Sequence, residues 1–206
     1  MIAIVDYGAG NLQSVEKALK HIGCECAVTG DPQVLLSAEA AVLPGVGSFG
    51  DAMNQLRSRG FEKAICDFVN SGRPFLGICL GLQILFEESQ ESPGVRGLGL
   101  LKGKVLRLPK ESGLKIPHIG WNSLEVKPGE PLFQGLPAEP YVYFVHSYYL
   151  RAEEDVVTAT AQYGTEIHAA VRKKNLMACQ FHPEKSGQVG LAILRNFVAT
   201  LERKED

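Results

Sequence analysis

The chain has 206 residues, 45% of them apolar, with 21 Lys and Arg against 23 Asp and Glu for a formal net charge of −2. That apolar fraction, spread along the length, excludes a disordered chain and is enough to bury a core without disulfides or a structural metal. The near-neutral balance lacks the basic excess of a nucleic-acid-binding domain, and no apolar stretch approaches the roughly 20 residues that span a bilayer.

Met1-Ile2-Ala3-Ile4-Val5 carries neither a basic n-region nor a cleavage site, so it reads as a first buried strand and not as a secretory signal. The chain has five cysteines: Cys24, Cys26, Cys66, Cys79 and Cys179. The count is odd and four sit in apolar runs, which fits a soluble cytoplasmic protein with reduced thiols. One domain over residues 1–206 is the expectation for this length.

Ile2 to Val5 lead through Asp6-Tyr7-Gly8-Ala9-Gly10-Asn11 into a helix over Leu12 to His21. Cys24 to Val28 and Ala40 to Leu43 are short apolar runs bounded by Gly, Asp and Pro. The spacing predicts a helix over Phe61 to Asn70, stopped at Ser71-Gly72, and another buried strand over Pro74 to Ile78. From Lys102 to about Arg172 the chain is rich in β-branched and aromatic residues, as in Tyr141-Val142-Tyr143-Phe144-Val145. That stretch predicts mainly antiparallel strands, followed by a last helix at Gln188 to Leu201. The fold class expected is α/β: a mainly parallel central sheet flanked by helices, with a smaller antiparallel portion in the second half.

Phe75-Leu76-Gly77-Ile78-Cys79-Leu80-Gly81-Leu82-Gln83 runs an apolar strand into Gly-x-Cys-x-Gly, with a helical pattern directly after it. The serine form of this pattern is a sharp strand-to-helix turn that lifts a nucleophile out of the backbone. A side chain two positions either side of the nucleophile would crowd such a turn. The start of a helix also turns its positive end towards the thiol and favours the thiolate. A single buried cysteine is usually an inert small hydrophobe, and Cys24, Cys26, Cys66 and Cys179 are read that way. Cys24-x-Cys26 is too closely spaced for the common zinc pattern, and no second pair follows. No metal or cofactor is expected.

A thiol nucleophile needs a base, and the base needs a group that holds its tautomer. Cys179-Gln180-Phe181-His182-Pro183-Glu184 supplies both. Pro183 favours an extended His182, and in an extended segment residues i and i+2 project to one side, so Glu184 reaches the imidazole locally. His-Pro-Glu alone is a weak signal; with the glycine-framed Cys79 it becomes a strong one. Pro44-Gly45-Val46-Gly47-Ser48-Phe49-Gly50 follows an apolar run but lacks the Lys-Ser/Thr of a phosphate loop. Its Gly-x-Gly-x-x-Gly comes after the first βα unit, which disfavours a dinucleotide site. An oxyanion hole built from its backbone N–H groups fits better, a plain turn being the alternative.

These segments, in this order and spanning nearly the whole chain, resemble class I (triad) glutamine amidotransferase domains. Within that family the likeness is closest to glutaminase subunits of imidazole glycerol phosphate synthases of histidine biosynthesis. The matching segments are Asp6 to Asn11, Pro117-His118-Ile119-Gly120-Trp121-Asn122, His146-Ser147-Tyr148 and His182-Pro183-Glu184-Lys185-Ser186-Gly187. The resemblance implies that Cys79 attacks the side-chain amide of glutamine. His182 then passes a proton to the departing ammonia, and water hydrolyses the thioester with His182 as base. Backbone N–H groups around Val46 or Gly47 and at Leu80 would form the oxyanion hole. Gln83 would hold glutamine, or be an ordinary helix-surface residue. Ser147 and Tyr148 would hold its α-amino and carboxylate end, or be strand-end residues.

The resemblance further implies a partner, a cyclase subunit with a (β/α)8 barrel, forming a heterodimer that receives ammonia through a tunnel. The combined product would be imidazole glycerol phosphate with an aminoimidazole carboxamide ribotide. Trp121, with Asn11, Asn122 and Lys185, is the candidate docking set; a core tryptophan is the alternative. Gly45 and Gly47 would let the oxyanion loop rotate when the cyclase binds its ligand. Competing readings are the glutaminase of anthranilate or pyridoxal phosphate synthase, a cysteine hydrolase of similar fold, and a catalytically silent scaffold.

Overall fold

Strand β1 (Ile2–Val5) is buried along its whole length because its two faces serve two cores. The computed structural model describes residues 1–110 and 113–201. Ala3 and Val5 point into one hydrophobic cluster, whereas Ile2 and Ile4 point into the other. The alternation of side chains along a strand makes this possible, and a run without polar residues is what two covered faces require.

The main sheet has eight strands in the order β2-β1-β3-β4-β13-β12-β11-β8. The pairs along β2 (Cys26–Thr29), β1, β3 (Ala40–Gly45), β4 (Phe75–Cys79) and β13 (Leu176–Cys179) are parallel. Beyond β13, the strands β12 (Glu166–Lys173), β11 (Val157–Gln162) and β8 (Glu125–Val126) extend the same sheet antiparallel. The expected mainly parallel sheet is therefore present. Part of the antiparallel portion continues it instead of forming a separate layer.

Helices cover both faces. α1 (Leu12–His21) buries Val15, Ala18 and Leu19, and α6 (Gly187–Ala199) buries Ile193, Leu194 and Phe197, all in one cluster. On the opposite face α3 (Phe49–Ser58) and α4 (Phe61–Asn70) bury Phe49, Ala52, Met53, Leu56, Phe61, Ala64, Ile65 and Phe68. The i, i+3, i+4 spacing sets one stripe of each helix against the sheet, and each large side chain so buried stabilises the fold by roughly 1.5–3 kcal/mol. A short helix α2 (Pro32–Ser37), capped by Asp31, lies between β2 and β3. The helices over 12–21 and 61–70 match the sequence reading residue for residue.

Two small sheets pack at the strand ends. One joins β10 (Tyr148–Ala152), β6 (Gly103–Arg107) and the short β5 (Glu88–Ser89); the other pairs β7 (His118–Ser123) with β9 (Tyr141–His146) antiparallel. Most pairings between Lys102 and Arg172 are antiparallel, as read from the sequence. Two expectations need correction. Gly50 belongs to α3 and not to the loop before it, because Ser48 caps that helix through the Asp51 N–H. The helix after Cys79, α5 (Leu80–Gln83), has only 4 residues. Leu80 to Phe86 are buried without a break, so the end of α5 is set by its hydrogen bonding and not by a solvent face. The chain turns instead through Leu85 N–H to Leu82 O and Phe86 N–H to Gln83 O. So short a helix brings little macrodipole to the thiol.

Candidate active site

β4 ends at Cys79, whose φ of 57° and ψ of −110° put a non-glycine residue in a strained backbone region. The glycines that frame it are required by space. A Cβ on Gly77 would lie 2.7 Å from the Gly81 carbonyl oxygen, and one on Gly81 would run into the carbonyl oxygen of Leu43. The turn is thus held against β3, and the thiol sits above the carboxyl ends of the parallel strands, where α/β sheets place their ligands.

β13 runs parallel to β4 and delivers His182 just beyond its end. His182 is extended (φ −103°, ψ 95°), but Pro183 to Lys185 form one 3-10 turn in place of the extended segment expected. Proline at the first position of that turn has its φ set for it and needs no N–H. Glu184 still accepts a hydrogen bond from His182 Nδ1 at 2.8 Å, with both side chains almost wholly buried. The backbone is pinned as well: the His182 N–H donates to Tyr143 O, and the Ser186 hydroxyl donates to His182 O. Burial by itself would lower the pKa of His182, but Cys79 and Glu184 outweigh it and raise the value to about 9. With Nδ1 committed to Glu184, Nε2 is buried, has no other polar partner and is left for Cys79.

The pocket over these groups has a volume of about 310 Å³. Of the residues singled out from the sequence, Cys79, His182, Val46, Gly47, Leu80, Gln83, Ser147, Tyr148 and Lys185 all line it, while Glu184 supports His182 from behind. The two glycines of the oxyanion loop separate in function. Gly45 is a strand residue whose missing Cβ admits the Tyr7 hydroxyl and Leu80, so it is no hinge. Gly47, at φ +96° and with open space around it, is the free position.

Gln83 is buried, which rules out the helix-surface reading. Its Nε2 donates to the Tyr148 carbonyl at 3.0 Å and to Gln180 Oε1 at 2.9 Å. A carbonyl can only accept, so the amide orientation is set by chemistry and Gln83 Oε1 is the end left for a ligand.

Several site residues were not singled out from the sequence. Glu91 lines the pocket and accepts the Phe49 N–H at the start of α3 with one carboxylate oxygen. Gln180, wholly buried, faces Cys79. His146 lines the pocket, donates from Nδ1 to Tyr148 O at 2.9 Å, and therefore accepts at Nε2 from His118 Nδ1 at 3.0 Å. Burial lowers His118 to about 4 and His146 to about 3, so this pair is neutral. The signal for Gln180 was available: a polar residue in an apolar run, two before His182 and so on the same side of the strand. Nothing local marks Glu91, whereas His118 and His146 lie in two of the segments that carry the family resemblance, with no role given to them there.

The docking candidates lie outside the pocket, apart from Lys185 at its rim. Trp121 is 55% exposed and belongs with exposed Ile119 and Tyr141 on the β7–β9 ribbon, which excludes the core reading. Asn122 uses its amide within the chain, donating to Gln162 O and accepting from Ser123 N–H. Asn11 precedes α1 without capping it through its side chain. Burial pushes the thiols of Cys24, Cys26, Cys66 and Cys179 up, in keeping with their inert reading. Among the described residues no cluster of His, Cys, Asp and Glu is arranged to hold a metal, and no helix is long and apolar enough to cross a membrane.

A glycine-framed thiol beside an imidazole and carboxylate, at the strand ends of such a sheet, is an arrangement suited to cysteine-dependent amide hydrolysis. The model of the glutamine amidotransferase class-I family matches residues 3–201, and the chain belongs to that family. It is 54% identical to the imidazole glycerol phosphate synthase subunit HisH of Methanothermobacter thermautotrophicus, covering 96% of this chain and 98% of that one. The subunit of the same name from Syntrophotalea carbinolica is also 54% identical, over 96% and 98%. Among solved structures, PurLQS from Thermotoga maritima superposes with a TM-score of 0.77 at 23% identity over 97% of this chain and 98% of that one, a likeness of fold alone.

Proposed function

We propose that this chain is the glutaminase subunit of an imidazole glycerol phosphate synthase, releasing ammonia from glutamine with Cys79, His182 and Glu184. The full-length likeness to HisH subunits supports the assignment. The observation that carries the chemistry is the 2.8 Å bond from His182 Nδ1 to Glu184, which leaves Nε2 as the proton carrier beside Cys79.

His182 Nε2 takes the thiol proton of Cys79, and the imidazolium so formed is favoured by the neighbours that raise its pKa. Cys79 Sγ attacks the carboxamide carbon and the carbonyl oxygen becomes an oxyanion. The N–H groups of Val46 or Gly47 and of Leu80 receive that charge, a contribution of about 3 kcal/mol per well-placed donor. As the tetrahedral centre collapses, the C–N bond breaks and His182 gives its proton to the leaving nitrogen. Neutral His182 then takes a proton from water, which attacks the thioester and releases glutamate and the thiolate. Gln83 Oε1 and the free oxygen of Glu91 accept from the donor groups of glutamine, while Ser147 and Tyr148 hold its α-carboxylate end.

Ammonia loses its nucleophilic lone pair when protonated in water, so a shielded route to the acceptor is required. The partner proposed is a cyclase subunit with a (β/α)8 barrel, docked over Ile119, Trp121 and Tyr141, with Asn11, Asn122 and Lys185 alongside. Together the subunits form imidazole glycerol phosphate and an aminoimidazole carboxamide ribotide in the cytoplasm. The test is glutamate release by the chain alone, with the cyclase, and with the cyclase plus its ligand. Strong stimulation by the liganded cyclase is expected. Activity indifferent to the cyclase keeps the triad and discards the pathway, and no release under any condition rejects the glutaminase.

A further inference from the structure

Gln180 is wholly buried between the nucleophile and the residue that faces glutamine. Its orientation is determined by a chain of donors and acceptors. The Tyr148 carbonyl must receive an N–H, so Gln83 presents Nε2 there, and the same Nε2 donates to Gln180 Oε1. The other end of the Gln180 amide is therefore nitrogen, and that nitrogen lies 3.7 Å from Cys79 Sγ, in range of an N–H···S hydrogen bond. The backbone beneath is held too, since the Gln180 N–H donates to Ala169 O across β12.

We infer that Gln180 is a further functional partner of Cys79, its Nε2–H stabilising the thiolate while its Oε1 fixes the Gln83 carboxamide. The inference rests on the reading of Cys79 as nucleophile. In that role the bond acts twice. It raises the thiolate population available for attack, and it stabilises the thiolate again when the thioester is hydrolysed and sulfur departs. A buried amide is suited to this because it supplies a donor without a charge, so the imidazolium of His182 and the thiolate remain a neutral pair. The same side chain ties the nucleophile to the binding residue, so neither can shift without the other.

The experiment is site-resolved alkylation of Cys79 by iodoacetamide in the assembled complex, followed by peptide mass spectrometry from about pH 5 to about pH 9. Gln180→Met retains the volume and removes the donor; Gln180→Asn retains the amide and withdraws it from the sulfur. Each variant is first shown to be folded by its thermal unfolding transition. The alkylation profile of either folded variant should move to higher pH, with the rate near neutrality about tenfold lower than in the parent. Lower glutaminase activity with an unmoved profile in a folded variant would reduce Gln180 to a packing residue and overturn the proposal. The readout needs no turnover, so it is separable from the nucleophile reading, which fails instead if Cys79→Ala still releases glutamate.

Discussion

His182 and Glu184, two positions apart in the chain, are joined ring to carboxylate at 2.8 Å across a single 3-10 turn, and both side chains are almost fully buried. The orienting carboxylate is thus supplied locally, while the nucleophile comes from a different strand, β4, brought alongside by parallel pairing with β13.

The raised value of His182 has a consequence for stability. A folded value of about 9 exceeds that of a free imidazole near 6.5, so its partners stabilise the native state fully below that lower value. The stabilisation is lost as pH rises through about 9. Glu184→Gln should cost roughly 2 kcal/mol at neutral pH, and the gap from the parent should shrink at higher pH in urea titrations. A gap that widens with pH would contradict the pairing.

His118 and His146 respond in the opposite direction. Their folded values, about 4 and about 3, lie below that of a free imidazole, so the stability they contribute is present above about pH 6.5. It is lost as pH falls towards 4, because the unfolded chain takes up protons that the buried pair cannot. Replacing His118, stacked between Phe144 and Tyr163, by Phe should flatten this acid loss in denaturation measured between about pH 7 and about pH 4.5.

Two glycines near the nucleophile should behave differently when changed to alanine. Gly81→Ala drives a methyl group into the Leu43 carbonyl and should destabilise the fold by more than about 3 kcal/mol. Gly47→Ala meets open space and is resisted only by its φ of +96°, a strain of about 1–2 kcal/mol. The second variant should fold and bind glutamine, yet show a lower kcat in the complex if its peptide serves the oxyanion. An unchanged kcat would remove the loop from the mechanism.

Trp121→Ala should leave the stability of the isolated chain within about 0.5 kcal/mol of the parent, since the ring is 55% exposed. Binding to the cyclase should weaken at least about tenfold in a titration calorimeter, as for an interface hot spot. Unaltered affinity would move the docking surface elsewhere.

Most of the parallel half was legible because its signals are local. Val15, Ala18 and Leu19 in α1, and Phe61, Ala64, Ile65 and Phe68 in α4, carry their helical period within a few residues. The Cys79 turn and the pairing of His182 with Glu184 were legible for the same reason, being local to one segment each, although the pair is joined through a 3-10 turn and not the extended backbone expected. The length of α5 was not, because no cap or breaker marks its end, where the hydrogen bonds tighten to Leu85 N–H with Leu82 O and Phe86 N–H with Gln83 O.

The sequence by itself determined the chemistry on offer, a framed thiol and an imidazole with its own carboxylate, and the strands and helices whose periods are local. Only the tertiary structure decided which groups meet across the fold. It set Gln180 against Cys79, brought Glu91 to the rim of the same pocket, hydrogen-bonded His118 to His146, and left Trp121 facing outward. Such pairings join residues far apart in the chain, so they depend on strand order and register, to which no short stretch of sequence is sensitive.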